Sequence, residues 1–230
     1  MEQKTITIKG KVLHYYPRKL TNDGSEPRLD IPIAKDNLFI FKSIADKHNL
    51  PFILMYGTLL GAVREHSFLE HDSDTDLGIY KKHEHILLEM IPELEKMGLL
   101  FIRYTNLTLF GKGDITYSFM KNGMYIDIYI MQRTTNSYII CGIKYPKIFF
   151  DNTHTILFYD HEYQIPYACE DFLVYAYGAN WETPKLGNHT SAVKQILRIR
   201  FCNYIIIMFS EFILAKNILK KIARFMGLVT

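Results

Sequence analysis

Tryptophan occurs once and cysteine three times in this chain of 230 residues. Cys141, Cys169 and Cys202 are odd in number and far apart, which excludes a disulfide framework and a C-x₂-C zinc spacing. A reducing, cytoplasmic setting is the simplest expectation. The opening stretch MEQKTITIKGKVLHYYPRK has neither the basic n-region nor the continuous apolar h-region of a signal peptide. Internal repeats and low-complexity segments are missing as well, so solenoids and disordered linkers are set aside. Long hydrophobic runs are also short supply. The run from Phe201 to Ala215 contains Asn203 and Glu211 and falls short of the roughly 20 apolar residues of a membrane-spanning helix.

Basic charge is scarce where a nucleic-acid-binding protein would need it. From Lys194 to Thr230 there are seven Lys or Arg against the single acid Glu211, so the net charge of +3 belongs to the tail and the rest is slightly acidic. A body without an extended basic surface argues against nucleic acid as a partner. In the tail, Lys216, Lys220 and Arg224 share one helical face while Ile218, Ile222 and Phe225 share another. That pattern suits a helix lying in a membrane interface, giving peripheral contact at the inner face of the cell membrane, or one packed on the core. Residues 1–192 then read as one domain and residues 193–230 as an amphipathic helical tail.

What is abundant is ordinary core material: 48% apolar residues with 16 Tyr and 15 Phe, enough for one sizeable domain. Residues 5–16 alternate as a strand pair, and residues 33–48 carry Leu38, Phe41, Ile44 and Ala45 at helical spacing. PFILMY at 51–56 reads as a short buried strand, 74–80 as a second strand, and 82–97 as a helix. LLFIRYT, LTLFGK, ITYSFMK and MYIDIYIM follow as strand-like runs, the last pair joined by the hairpin signal Asn122-Gly123. More β structure and a short helix from Cys169 to Tyr177 complete an α+β reading, a mixed or antiparallel sheet flanked by helices.

Two features carry chemistry. Gly57-Thr58 follows a strand and opens a helix, where unpaired N–H groups and the helix dipole favour an anion such as phosphate. Asp72, Asp74 and Asp76 then alternate, so on a strand their carboxylates crowd one face. An exposed acidic edge strand would tolerate such charge, but the run continues as Leu77-Gly78-Ile79, which looks interior. A hard divalent cation relieves the repulsion. An EF-hand is excluded because Leu77 stands where its loop needs glycine and His83 where it needs glutamate. Asp127, in the middle of MYIDIYIM, has apolar neighbours and no evident cation; a metal held by Asp74 and Asp76 on an adjacent strand would be its partner. His66, Glu70 and His71 lack zinc-motif spacing.

GTLLGAVR followed by F-L-x-x-D-x-D-x-D, with a further Asp on a later strand, resembles the LicD branch of the nucleotidyltransferase superfamily, which includes phosphocholine transferases and the fukutin-related phosphotransferases. The similarity extends loosely to Tyr177, Gly178, Trp181 and Pro184. The resemblance implies a nucleotidyltransferase-like fold and transfer of a phospho-alcohol group from a CDP-linked donor such as CDP-choline to a sugar hydroxyl on a glycan or glycolipid acceptor. It implies Mg2+ or Mn2+ on Asp74 and Asp76, one ion or two, with Asp72 or Asp127 completing the shell. Asp127 is also placed to take the acceptor proton, Gly57 and Thr58 to cradle the pyrophosphate, Arg64 to pair a phosphate, and His71 to touch substrate. Ser67, Glu70, His71 and Ser73 depart from the family pattern, which puts the donor and acceptor in question. A D-x-D glycosyltransferase using a nucleotide-sugar, or a non-catalytic glycan-binding protein at the membrane, are the rival readings.

Overall fold

A computed structural model describes residues 2–18, 28–109 and 112–184. The expectations for the tail, its boundary at residue 192 included, therefore lie outside the described residues. Strands β1 (Lys4–Ile8) and β2 (Lys11–Tyr15) form an antiparallel hairpin. Lys9 and Gly10 turn it with φ of 50° and 80°, the two positive values that a tight hairpin loop matching the strand twist requires.

Helix α1 (Ile31–Lys47) starts two residues ahead of the expected position. The side chain of Asp30 accepts from the Ile33 N–H at 3.1 Å, and Pro32 sits in the first turn, where its missing N–H costs nothing. Strand β3 (Ile53–Leu54) and helix α2 (Tyr56–Arg64) follow, then β4 (Asp74–Tyr80) and helix α3 (Glu84–Lys96). Three long strands come next: β5 (Leu100–Leu109), β6 (Lys112–Lys121) and β7 (Met124–Arg133). Asn106 does not interrupt β5 as the sequence suggests; β5 is an edge strand, and there Asn106 is exposed and donates to the Tyr104 hydroxyl at 3.1 Å. The hairpin β8 (Ser137–Ile140) and β9 (Ile143–Pro146), the hairpin β10 (Thr153–Phe158) and β11 (His161–Pro166), and helix α4 (Cys169–Tyr177) complete the described chain.

The main sheet runs β10-β11-β3-β4-β7-β6-β5, with β8 and β9 branching from β7. The pairs β11–β3 and β4–β7 are parallel and the other pairs antiparallel, so the sheet is mixed, as the α+β reading expects. The alternation in MYIDIYIM sorts its residues: Ile126, Ile128 and Ile130 are buried in the main core, and α1 packs on β7 and on α3. Tyr125, Asp127 and Tyr129 take the other face. The parallel pairing of β4 with β7 sets Asp76 directly beside Asp127, although 50 residues of chain lie between them.

Glu84, at the start of α3, ties the N-terminal hairpin to this body. Its side chain is fully buried, paired with Lys9 and with Lys81 at 2.7 Å, and accepts from the Tyr117 hydroxyl at 2.8 Å. Burial pushes the carboxyl up, but hydrogen bonds from Lys81, Lys9 and Tyr117 together hold it below its ordinary 4.5. A carboxyl lowered by folding stabilises fully above its unfolded value, and the contribution fades as pH falls through the folded value. Glu84→Gln should thus cost about 2 kcal/mol at pH 7 and flatten the acid side of the stability curve. Denaturant melts at pH 7 and pH 3 check both; equal losses at the two pH values would contradict this account.

Candidate active site

The site gathers where β4 begins and α2 starts. In strand β4 the residues Asp74 and Asp76 share a face, and Asp72 reaches the same place from the preceding turn, held there by its backbone. The Leu29 N–H donates to the Asp72 carbonyl at 2.7 Å, and the Asp72 N–H to the Leu69 carbonyl at 3.1 Å. One carboxylate oxygen from each of Asp72, Asp74 and Asp76 lies within 4.8 Å of the others. Gly57 makes room for this: a Cβ there would stand 1.9 Å from Asp72 Oδ2.

Asp76 is the buried member, at 6% exposure. Its N–H donates to Thr58 Oγ1 at 2.8 Å, its Oδ2 accepts from the Gly57 N–H at 3.1 Å, and its Oδ1 accepts from the Tyr129 hydroxyl at 2.9 Å. At the expected phosphate seat the Gly57 N–H is thus engaged by a carboxylate of the chain itself, and the Thr58 hydroxyl by the Asp76 backbone N–H. The physical reason is the same one that suggested phosphate, since a helix N-terminus takes any anion brought to it. Just ahead, Tyr56 has φ of 41°, a left-handed conformation uncommon for a bulky residue. A 3.1 Å bond between the Tyr56 and Tyr145 hydroxyls and edge-on packing against Tyr129 hold it.

Burial, then the charges of Asp74 and Asp72, drive the Asp76 carboxyl well above the usual carboxylate range, against the opposing bond from Tyr129. Burial likewise raises Asp72, opposed by the Ser73 N–H, His71 and a bond with Asp74. Burial and the neighbouring Asp76 push the Tyr129 phenol far up, so it stays a donor. Both shifts come first from burying carboxylates close to one another, an arrangement whose repulsion a divalent cation would relieve.

Asp127 stands in register with Asp76 but outside that trio. It is 6% exposed, and the cation that its sequence neighbours fail to supply comes from β5: Arg103 Nη2 donates to Oδ2 at 2.5 Å. Its Oδ1 is buried and has no partner. Asp114 and Thr116 extend the polar row on β6, Thr116 Oγ1 donating to Asp114 Oδ1 at 2.7 Å. Burial, eased by Thr116 and Arg103, raises Asp114. Oδ1 of Asp127 and the carboxylate oxygens of the trio are hard donors of the kind that a divalent cation takes.

Other expected residues land differently. Arg64, at the far end of α2, donates through Nε to Glu65 at 2.8 Å and through Nη1 to the Trp181 carbonyl at 2.8 Å, so its donors face the segment after α4. His71 is exposed beside Asp72, at the lip of the site. Ser67, one of the residues that depart from the family pattern, and its neighbours Phe68 and Leu69 are anchored inward. Phe68 and Leu69 are buried, and the Phe68 N–H and the Ser67 hydroxyl both bond the Tyr159 hydroxyl, at 2.9 and 2.8 Å. Tyr129 was legible in the sequence two positions beyond Asp127; Arg103, Ser118 and Asp114 were not.

Fold and site together define a nucleotidyltransferase-like α+β domain, a mixed sheet flanked by helices with its carboxylates on β4 and β7. The family model of the LicD/FKTN/FKRP nucleotidyltransferase domain matches residues 49–168, more than half of the chain, and the chain belongs to that family. An uncharacterized protein of Rickettsia prowazekii (strain Madrid E) is 32% identical over 120 residues, which are 50% of this chain and 38% of that protein. The match thus spans well under half of the relative's length. Two solved structures of ANT(2'')-Ia are also similar: a crystal structure with adenylyl-2''-tobramycin, at 14% identity and a TM-score of 0.44, covers 75% of this chain and 96% of its own. A solution structure of the same antibiotic-resistance factor, at 12% identity and a TM-score of 0.45, covers 81% and 96%. Among the described residues no helix is long and apolar enough to cross a membrane.

Proposed function

We propose that this chain transfers a phospho-alcohol group, phosphocholine or a phospho-alditol, from a CDP-linked donor to a sugar hydroxyl of a cell-surface glycan, with a divalent cation. The observation that carries the reading is the carboxylate trio Asp72, Asp74 and Asp76, within 4.8 Å, with the unpartnered Oδ1 of Asp127 on the adjoining strand, in a chain of the LicD family. Asp72, Asp74 and Asp76 would hold Mg2+ or Mn2+, with Asp127 completing the shell. When bound, the cation would neutralise charge on the phosphates and on the leaving CMP.

The chain's own residues do the rest. The acceptor oxygen forms a bond to the phosphorus that carries the alcohol, the bond from that phosphorus to the bridging oxygen breaks, and CMP departs. With Oδ2 committed to Arg103, only Oδ1 of Asp127 is open: off the cation it takes the proton of the acceptor hydroxyl, and on the cation it leaves that proton to pass to solvent water. Tyr129 keeps its proton and holds Asp76 in place. Peripheral membrane contact through residues 193–230 would keep the enzyme near a glycolipid acceptor; that part rests on the sequence alone.

Incubating the full chain with CDP-choline, CDP-alditols and UDP-sugars, each with Mg2+, tests the reading. CMP is expected from at least one CDP-linked donor and only background turnover from the UDP-sugars. Turnover of a UDP-sugar with inert CDP donors would instead favour the D-x-D glycosyltransferase.

A further inference from the structure

Arg103 reaches Asp127 by an irregularity in β5. In a regular strand Phe101 and Arg103 would share a face, and Phe101 belongs to the main core, where its ring packs on Tyr117 and Phe119 at 5.9 and 5.4 Å. The ladder with β6 slips between them: Phe101 stands opposite Phe119, yet Arg103 stands opposite Ser118, with Ile102 as the extra residue. Ile102 and Arg103 consequently both face the site side of the sheet. Ile102 is buried there with Met120 and Tyr125, and Arg103 falls into one row with Ser118, Asp127 and Asp76 across β5, β6, β7 and β4. Bulges that turn a side chain are a recurrent device next to active sites.

In that row the guanidinium makes two bonds of different kinds: Nε to Ser118 Oγ at 2.9 Å and Nη2 to Asp127 Oδ2 at 2.5 Å. A pair serving stability alone gains most when the guanidinium fork takes both carboxylate oxygens. Here Ser118 takes one arm, and Oδ1 of Asp127 is left buried and unanswered. An unmet buried acceptor is costly unless something else uses it.

We infer that Arg103 is a positioning residue for the site: with Ser118 it pins Oδ2 of Asp127 from the β6 side, which leaves the buried, unbonded Oδ1 for the cation or the acceptor hydroxyl. The inference rests on the reading of the carboxylates as a cation site and adds to it the part that orients Asp127. Lysine would keep the charge but not the fork, so Arg and Lys are not interchangeable here.

The test measures Mn2+ binding to the full chain by calorimetry, with the melting temperature of each variant alongside. Arg103→Met should weaken Mn2+ binding about tenfold or more, the usual effect of removing a partner that orients a ligand. Arg103→Lys should recover part of that loss, and Ser118→Ala should show a smaller loss in the same direction. Arg103→Met melting lower yet binding Mn2+ as tightly as the wild type would make the pair a plain structural one and overturn the inference. Should Arg103→Met fail to fold, Arg103→Lys and Ser118→Ala carry the test, and wild-type affinity in both overturns it equally. A wild-type chain that binds no Mn2+ would sink the cation reading itself and the inference with it, an outcome distinct from the previous two.

Discussion

Asp76→Asn should reduce CMP release from the preferred donor by about a thousandfold or more, and at the same time leave the cation-free protein at least as stable as the wild type. Both halves follow from the surroundings of one carboxylate. Asp76 faces the Gly57 N–H and the Tyr129 hydroxyl and lies in the trio with Asp72 and Asp74. Burial and those two neighbours raise its carboxyl well above the ordinary 3.8. A carboxyl raised by folding destabilises the folded state once it ionises, so the stability of chelator-treated wild type should fall as pH rises through the folded value. The amide removes the charge that repels Asp72 and Asp74, and that pH dependence should shrink with it. Asp74→Asn should lose turnover similarly. Donor turnover and chelator-treated melting curves from pH 4 to 8 decide the matter. A variant with full function would return the chain to the class of non-catalytic glycan-binding proteins.

Gly57→Ala is expected to lower turnover about 10- to 100-fold with little change in melting temperature. Alanine suits a helix better than glycine, and Gly57 has no positive φ that a side chain would strain. The nearest atoms that the added methyl meets all belong to Asp72, whose Oδ2 would lie 1.9 Å away and whose carboxylate is the end of a side chain that must shift. The variant therefore removes Asp72 from the trio without touching it. If this is the whole effect, Gly57→Ala and Asp72→Ala must be non-additive, the double variant being no worse than the poorer single one. Wild-type turnover in Gly57→Ala would show that Asp72 takes no part.

Local chemistry explains why much of this was readable early. Strand β4 and helix α4 have the bounds that their residues suggest, because alternation ending at a polar turn and an apolar stripe ending at Gly178 need no tertiary help. Asn122-Gly123 closes β6 onto β7 with φ of 53° and 82°, as a two-residue hairpin must. Where expectation and structure part, the long-range environment decided: β3 shrinks to Ile53–Leu54 because only those residues pair with β4. Ser67 and Phe68 turn inward because the Tyr159 hydroxyl, far along the chain, bonds both.

The sequence by itself determined the family, the α+β class and which acids stand out, because a run such as D-S-D-T-D and a lone Asp in an apolar strand state their electrostatic problem locally. Only the tertiary structure decided who answers it. Parallel pairing of β4 with β7 puts Asp127 beside Asp76; the start of α2 brings the Gly57 N–H onto the Asp76 carboxylate; and the extra residue in β5 carries Arg103 across to the carboxylate face. Each of these depends on strand register, and register is settled by how whole strands bury their apolar faces against one another, a property that no short stretch of sequence contains.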